Sequence, residues 1–312
     1  FQQGCFSQWL PTAADRTFIY NDLLRYNFVS VVYDLEEGVQ RILPRPIGAV
    51  SANGRYGLTL NFARLFRTRP GYGYAGVSDP CAAENHPALD GVGLLDLETG
   101  EHRVIVTVAE AYAMLGKPAS MLHQEMWFNH VYFNTNDTRV SFLCRWRTLK
   151  GGWMTEFFTA GLDGTDLRRL APREMTSHYD WRDEKTILAW ARVPPKGDRF
   201  WLVPDGDGDC EVVGEGAMTG DGHCSYSSDR RWILNDTYPD REKSERQLYL
   251  WDVENRRRVD LGRYFSHPKI SGEIRCDLHP CWNRDDAQVC FDSIHEGRRG
   301  VYVVDVSSIT KA

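Results

Sequence analysis

Nothing in this chain approaches the roughly 18 consecutive apolar residues that a membrane-crossing helix needs, so no membrane partner is expected. It also lacks a basic excess. Its 37 Lys and Arg face 43 Asp and Glu, the net charge is −6, and no basic stripe stands out. Nucleic acid is therefore not an expected partner. None of the eight cysteines forms a C-x-x-C pair, and Cys144, Cys224 and Cys290 lie in strand-like runs. They read mostly as buried thiols of a reducing compartment, which points to the cytoplasm. A periplasmic or secreted location stays open, because Phe1 is not a natural start and a signal peptide upstream is compatible with it. No G-x-S-x-G nucleophile motif occurs, which argues against a serine hydrolase. Low-complexity segments are missing as well.

What is present is a repeat. The string Gly222-His223-Cys224-Ser225-Tyr226-Ser227-Ser228-Asp229 has a relative in Leu278-His279-Pro280-Cys281-Trp282-Asn283-Arg284-Asp285. Two more run over Ser177–Glu184 and Asn129–Asn136. In each, a His (His130, His178, His223, His279) is followed three residues later by an aromatic: Phe133, Trp181, Tyr226, Trp282. Six residues after the His comes a polar turn residue: Asn136, Glu184, Asp229, Asp285. The His-to-His intervals are 48, 45 and 56 residues, and a period of ~40–50 residues is that of β-propeller blades. At 312 residues, 42% of them hydrophobic, two ordinary domains would fit. Blades, however, bury their faces only against their neighbours, so one all-β domain over residues 1–312 is expected.

Strand and turn patterns divide the chain into six blade units, at about 4–44, 47–108, 127–170, 178–214, 223–261 and 277–306. In the second unit Ile47 stands where others have His, and a long polar insertion, Ala63–Leu89, carries Arg64, Arg67, Arg69 and Pro70-Gly71-Tyr72-Gly73-Tyr74. An insertion of that length and composition fits a loop that contacts a ligand. Ala109–Leu115 reads as a short helix, and the sixth unit stops before a fourth strand. Trp181 and Trp282 read as core between blades.

In a propeller, the innermost strand of each blade lines the central channel. Its start lies on the same face as the end of the second strand. On that geometry His130, His178, His223 and His279 converge on one channel mouth, joined by Arg64, Arg145, Arg147, Arg192, Asp236 and Tyr238 from second-strand ends. A concave ring of titratable groups is the default place to look for a site. His130, Arg64, Arg192 and Tyr238 are read as its substrate contacts.

Two segments, His223–Asp229 with Trp232-Ile233-Leu234-Asn235-Asp236, and Asp277-Leu278-His279-Pro280-Cys281-Trp282, resemble the oligogalacturonate lyase family. The resemblance spans nearly the whole chain and implies a seven-bladed β-propeller, of which six units are visible. It also implies a carbohydrate lyase that cleaves short uronic-acid oligosaccharides by β-elimination. A divalent metal ion would assist, manganese foremost, with calcium or zinc as alternatives. Carried over, the base falls at His178 and the arginine for the substrate carboxylate at Arg147 or Arg145. The metal ligands fall at His223 and His279, with Asp277 standing where the family has a further His. A small uronate oligosaccharide is then the expected partner. A different class remains open: a non-catalytic propeller resembling that of the Tol system, which shares the H-P-x-W-[SN]-x-D turn and binds a protein or peptide.

Overall fold

Short strands closed by Asp-led turns dominate the chain, and local chemistry accounts for both. The computed structural model describes residues 3–12, 15–148, 151–172 and 175–311. Thr17–Leu24 alternates buried and half-buried residues over its first five positions, the pattern of a strand with one face in the core. Arg139–Arg147 is buried continuously from Val140 to Arg145, as a strand covered on both faces requires. Between strands, Asp34 accepts the N–H groups of Glu36 and Glu37. Asp96 does the same for Glu98 and Thr99, and Asp240 for Glu242 and Lys243. Each such side chain closes its turn locally.

Two compact units result, Gln3–Met175 and Thr176–Ala312. In the first, one antiparallel sheet orders Gln8–Trp9, Thr17–Leu24, Asn27–Asp34 and Gly38–Leu43. The next orders Ala49–Val50, Tyr56–Thr59, Gly91–Asp96 and His102–Thr107, and the third Met126–Phe133, Arg139–Arg147, Trp153–Gly161 and Arg168–Arg169. The second unit begins with Thr176–Trp181, Thr186–Val193, Gly197–Pro204 and Glu211–Val212. Ser225–Tyr226, Trp232–Asp236, Glu245–Asp252 and Arg257–Phe265 follow. Its last sheet has three strands, Cys281–Trp282, Gln288–Ser293 and Gly300–Asp305, in keeping with the truncated pattern of the sequence. Six sheets are thus described, and the seventh blade implied by the resemblance is not among the described residues. The expected short helix forms at Val108–Met114, where Thr107 and Glu110 make a reciprocal capping box.

Within each unit the core lies between successive sheets. In the first, Leu58, Val92 and Leu94 meet Trp127, Phe128, Phe142 and Phe158. In the second, Trp232, Leu234 and Leu250 meet Leu278, Val289 and Phe291, with Trp282 packed against them. Trp181 is fully buried. Turns also tie sheet to sheet. The Asp137 carboxylate accepts the N–H groups of Ala52 and Asn53 at 2.8 and 2.9 Å. In the second unit Asp286 accepts the N–H of Ser228 at 2.9 Å. Both aspartates have φ of 56°, the left-handed region that Asp tolerates better than most side chains.

The insertion departs from the expected loop. It opens with the helix Phe62–Thr68, capped by Asn61, whose side chain accepts from the Arg64 N–H. Arg64, expected at a channel mouth as a substrate contact, is instead 2% exposed. Its Nε donates to the Met126 carbonyl, one terminal nitrogen to Asp79 and the Cys81 carbonyl, and the other to the carbonyls of Glu84 and Asn85. All five N–H groups are thereby engaged, and the guanidinium anchors the insertion from within. Arg64→Met is expected to cost about 3 kcal/mol of unfolding free energy, because four carbonyls lose a donor and buried Asp79 loses one of its two guanidinium partners. Urea denaturation monitored by tryptophan fluorescence checks this, and an unchanged midpoint contradicts it.

Candidate functional site

The second unit brings three of the four repeat histidines into one row. His178 lies on a bulge: Thr176 faces Ala191 and Tyr179 faces Ala189, so Ser177 and His178 together oppose one residue. Bulges re-aim side chains, and here the bulged residue is the His. His223 precedes the strand Ser225–Tyr226, and Gly222 lets it approach its partner, since a Cβ there would stand 1.8 Å from the Asp236 carbonyl oxygen. His279 precedes Cys281–Trp282 with φ of 41°. The rings of His178 and His223 are 4.1 Å apart, as are those of His223 and His279. Tyr238 stands beside the row, 6.2 Å from the His178 ring and 6.4 Å from that of His223.

Carboxylates orient the row. Asp221 lies 2.9 Å from His178 Nδ1. Asp236, fully buried at the end of Trp232–Asp236, accepts the His223 backbone N–H at 2.6 Å, and its two oxygens lie 3.0 Å from Nδ1. In both rings it is Nδ1 that meets the carboxylate, which fixes the ring's orientation. Burial lowers the His178 pKa, and the attraction of Asp221 does not restore it. Burial also opposes charge on His223, but the field and hydrogen bond of Asp236 prevail and raise it. Burial, then the neighbouring charge of His223, bring His279 down to about 3. The row therefore holds one readily charged imidazole between two neutral ones.

Asp277 completes the group. Its buried carboxylate is 2.7 Å from Arg246 and 2.6 Å from Arg275. Burial would raise its pKa, but these two guanidinium groups hold it down. Arg246 is itself buried, and both arginines lie over the Tyr238 ring, at 5.8 and 5.4 Å.

The donor set suits a divalent ion. One ligand atom from each of His223, Asp277 and His279 lies within 4.8 Å of the others. His279 Nε2 is buried with no hydrogen-bond partner, a costly state unless something bonds it. Two imidazoles and one carboxylate match manganese or zinc, while calcium would call for more oxygens. Asp277 is the constrained member, because guanidinium N–H groups already occupy both of its oxygens.

The other expected residues are described by their partners within their own units. Arg192 is exposed and pairs with Asp198 across its own hairpin. In the first unit, His130 sits on a bulge in the strand Met126–Phe133 with φ of 50°, its ring 6.1 Å from Tyr72. Arg145 is buried, with Nε donating to the Thr155 hydroxyl at 3.0 Å, and Arg147 donates to the Thr68 carbonyl at 2.7 Å. Sequence reasoning missed Asp221, Arg246 and Arg275. Asp221, two residues before His223, was open to discovery as a second acidic group beside the motif. Arg246 carries no such signal, since it arrives from the third strand of its sheet.

No family model matches this chain, and neither does any curated protein. Solved structures do. An oligogalacturonate lyase in complex with manganese aligns at TM-score 0.50 and 14% identity, over 96% of this chain and 88% of that one. TolB from Acinetobacter baumannii aligns at TM-score 0.55 and 12% identity, over 95% of this chain and 62% of its own. The β-propeller domain of the Trilobed protease from Pyrococcus furiosus aligns at TM-score 0.55 and 12% identity, over 98% and 82%. The likeness is one of fold: the chain is an all-β protein of the β-propeller class, with six blade-like sheets described.

Replacing both His223 and His279 by Ala is expected to abolish stoichiometric uptake of manganese, measured by elemental analysis after dialysis. Retention of one equivalent by the double variant would place any metal elsewhere.

Proposed function

We propose that the protein is a lyase acting on short uronic-acid oligosaccharides by β-elimination. The observation that supports this most directly is the pairing of His178 with Asp221, one ring away from a metal-suited cluster of His223, His279 and Asp277. β-Elimination removes the proton α to the uronate carboxylate and expels the substituent at O4. The base must be neutral and have a free nitrogen. Burial disfavours the charged form of His178, and Asp221 bonds its Nδ1, so Nε2 is the nitrogen assigned to the proton. Asp221 also fixes the tautomer and orients the ring, and it steadies the imidazolium once the proton has moved.

A divalent ion held by His223, His279 and Asp277, manganese by likeness to the lyase solved with that metal, would supply positive charge against the substrate carboxylate. Asp236 keeps His223 in place for that role, and Arg246 and Arg275 keep Asp277 in place. Tyr238, beside both His178 and His223, is a substrate contact in this reading. Arg147 or Arg145 remains the proposed partner of the substrate carboxylate, through the planar fork that matches two carboxylate oxygens.

His178→Ala is expected to lower kcat by roughly two to four orders of magnitude, as the loss of a general base does, while metal content stays unchanged. The assay follows the ultraviolet absorbance of the unsaturated uronate product over a panel of uronate oligosaccharides. Near-normal turnover by the variant would move the base elsewhere. No product from any uronate, set beside capture of a peptide ligand, would favour a binding propeller of the TolB kind.

A further inference from the structure

Beside the histidine centre, Cys281 and Cys290 hold directly opposed positions on the antiparallel strands Cys281–Trp282 and Gln288–Ser293. Opposed residues point their side chains to the same face, with Cα atoms about 4.5–5.5 Å apart. That falls inside the span of roughly 4.4–6.8 Å which a disulfide bridges. Access is also provided for: Cys281 is exposed and Cys290 half-buried, whereas Cys81, Cys144, Cys224 and Cys276 are buried. The pair further touches the site, since Cys281 Sγ donates to the His279 carbonyl at 3.5 Å. His279 itself is held in the left-handed region that few non-glycine residues enter, so this thiol helps to keep a strained turn in place.

We propose that Cys281 and Cys290 are a redox-active dithiol, which a low-molecular-weight disulfide of the glutathione type converts reversibly into an intramolecular disulfide, and that this conversion repositions His279. The Cys290 thiolate attacks one sulfur of the small disulfide, forming a mixed disulfide and releasing one thiolate. Cys281 then gives up its proton to solvent and attacks the Cys290 sulfur. The Sγ–Sγ bond forms and the second small thiol leaves, so two protein thiols are oxidised as one external disulfide is reduced to two thiols. Cys281 thereby loses the S–H that bonded the His279 carbonyl. The second half of the proposal concerns a residue of the site described above, but it does not depend on the reaction assigned to that site.

The test equilibrates the full chain with mixtures of reduced and oxidised glutathione, blocks remaining thiols and maps peptides by mass spectrometry. The expected product is a crosslink between the peptides of Cys281 and Cys290, with no glutathione retained on either and full reversal by dithiothreitol. Cys281→Ser and Cys290→Ser should instead each carry glutathione on the remaining thiol of the pair. In protein labelled with 15N-histidine, the ring signals of His279, assigned with His279→Gln, should shift on oxidation of the native chain and stay fixed in both serine variants. Two thiols that stay open to alkylation, or that take up glutathione separately, would overturn the dithiol. A crosslink that leaves the His279 signals in place would overturn the link to the site. Neither readout uses a uronate, so a failed lyase assay and a failed dithiol remain distinguishable.

Discussion

The buried carboxylate of Asp236 sets the terms for the second unit. A carboxylate that is 1% exposed has to be satisfied from inside the protein. Burial on its own would push its pKa up, yet His223 holds it far down through its charge and two hydrogen bonds. The same bonds fix the backbone and ring of His223 together, so Nε2 has one direction in which to point. The neighbours follow from that. Rings 4.1 Å apart cannot all carry charge, because two unit charges about 4 Å apart repel by about 4 kcal/mol at an effective dielectric near 20. Burial first, and this repulsion after it, leave His178 and His279 neutral on either side. Charge alternates outward from this centre, with Asp277 answered by Arg246 and Arg275.

The His row was legible in the sequence because aromatic spacing placed each His at the same register, and register survives folding. So was the last sheet's missing strand, which follows from pattern alone. What was not legible depends on contacts between distant segments. Asp221, beside the His223 motif, bonds His178 of the preceding sheet, and Arg246 reaches Asp277 ahead of the following one. The bulges that carry His130 and His178 leave no mark in residue type, since any backbone can admit an extra residue there.

Arg64 illustrates the opposite error. An Arg in a long polar insertion reads as a rim charge, because composition cannot show the loop folding back to cover it. The helix Phe62–Thr68 was missed for the same reason, although Asn61 is a good N-cap and could have been read as one. The repeat dictated where strands would lie. Where the chain leaves the repeat, only the closed hydrogen-bond account of Arg64 reveals what the excursion does.

The ties made by Asp137 and Asp286 govern spacing. Each links neighbouring sheets through one carboxylate, across the packed core between them. In the first unit the excursion between Tyr56–Thr59 and Gly91–Asp96 adds a helix and its long return, yet Ala52 and Asn53 still meet Asp137. Pitch and loop length are thereby decoupled. A sequence built this way can carry a long excursion between the two middle strands of a sheet while one acidic side chain still ties that sheet to the next.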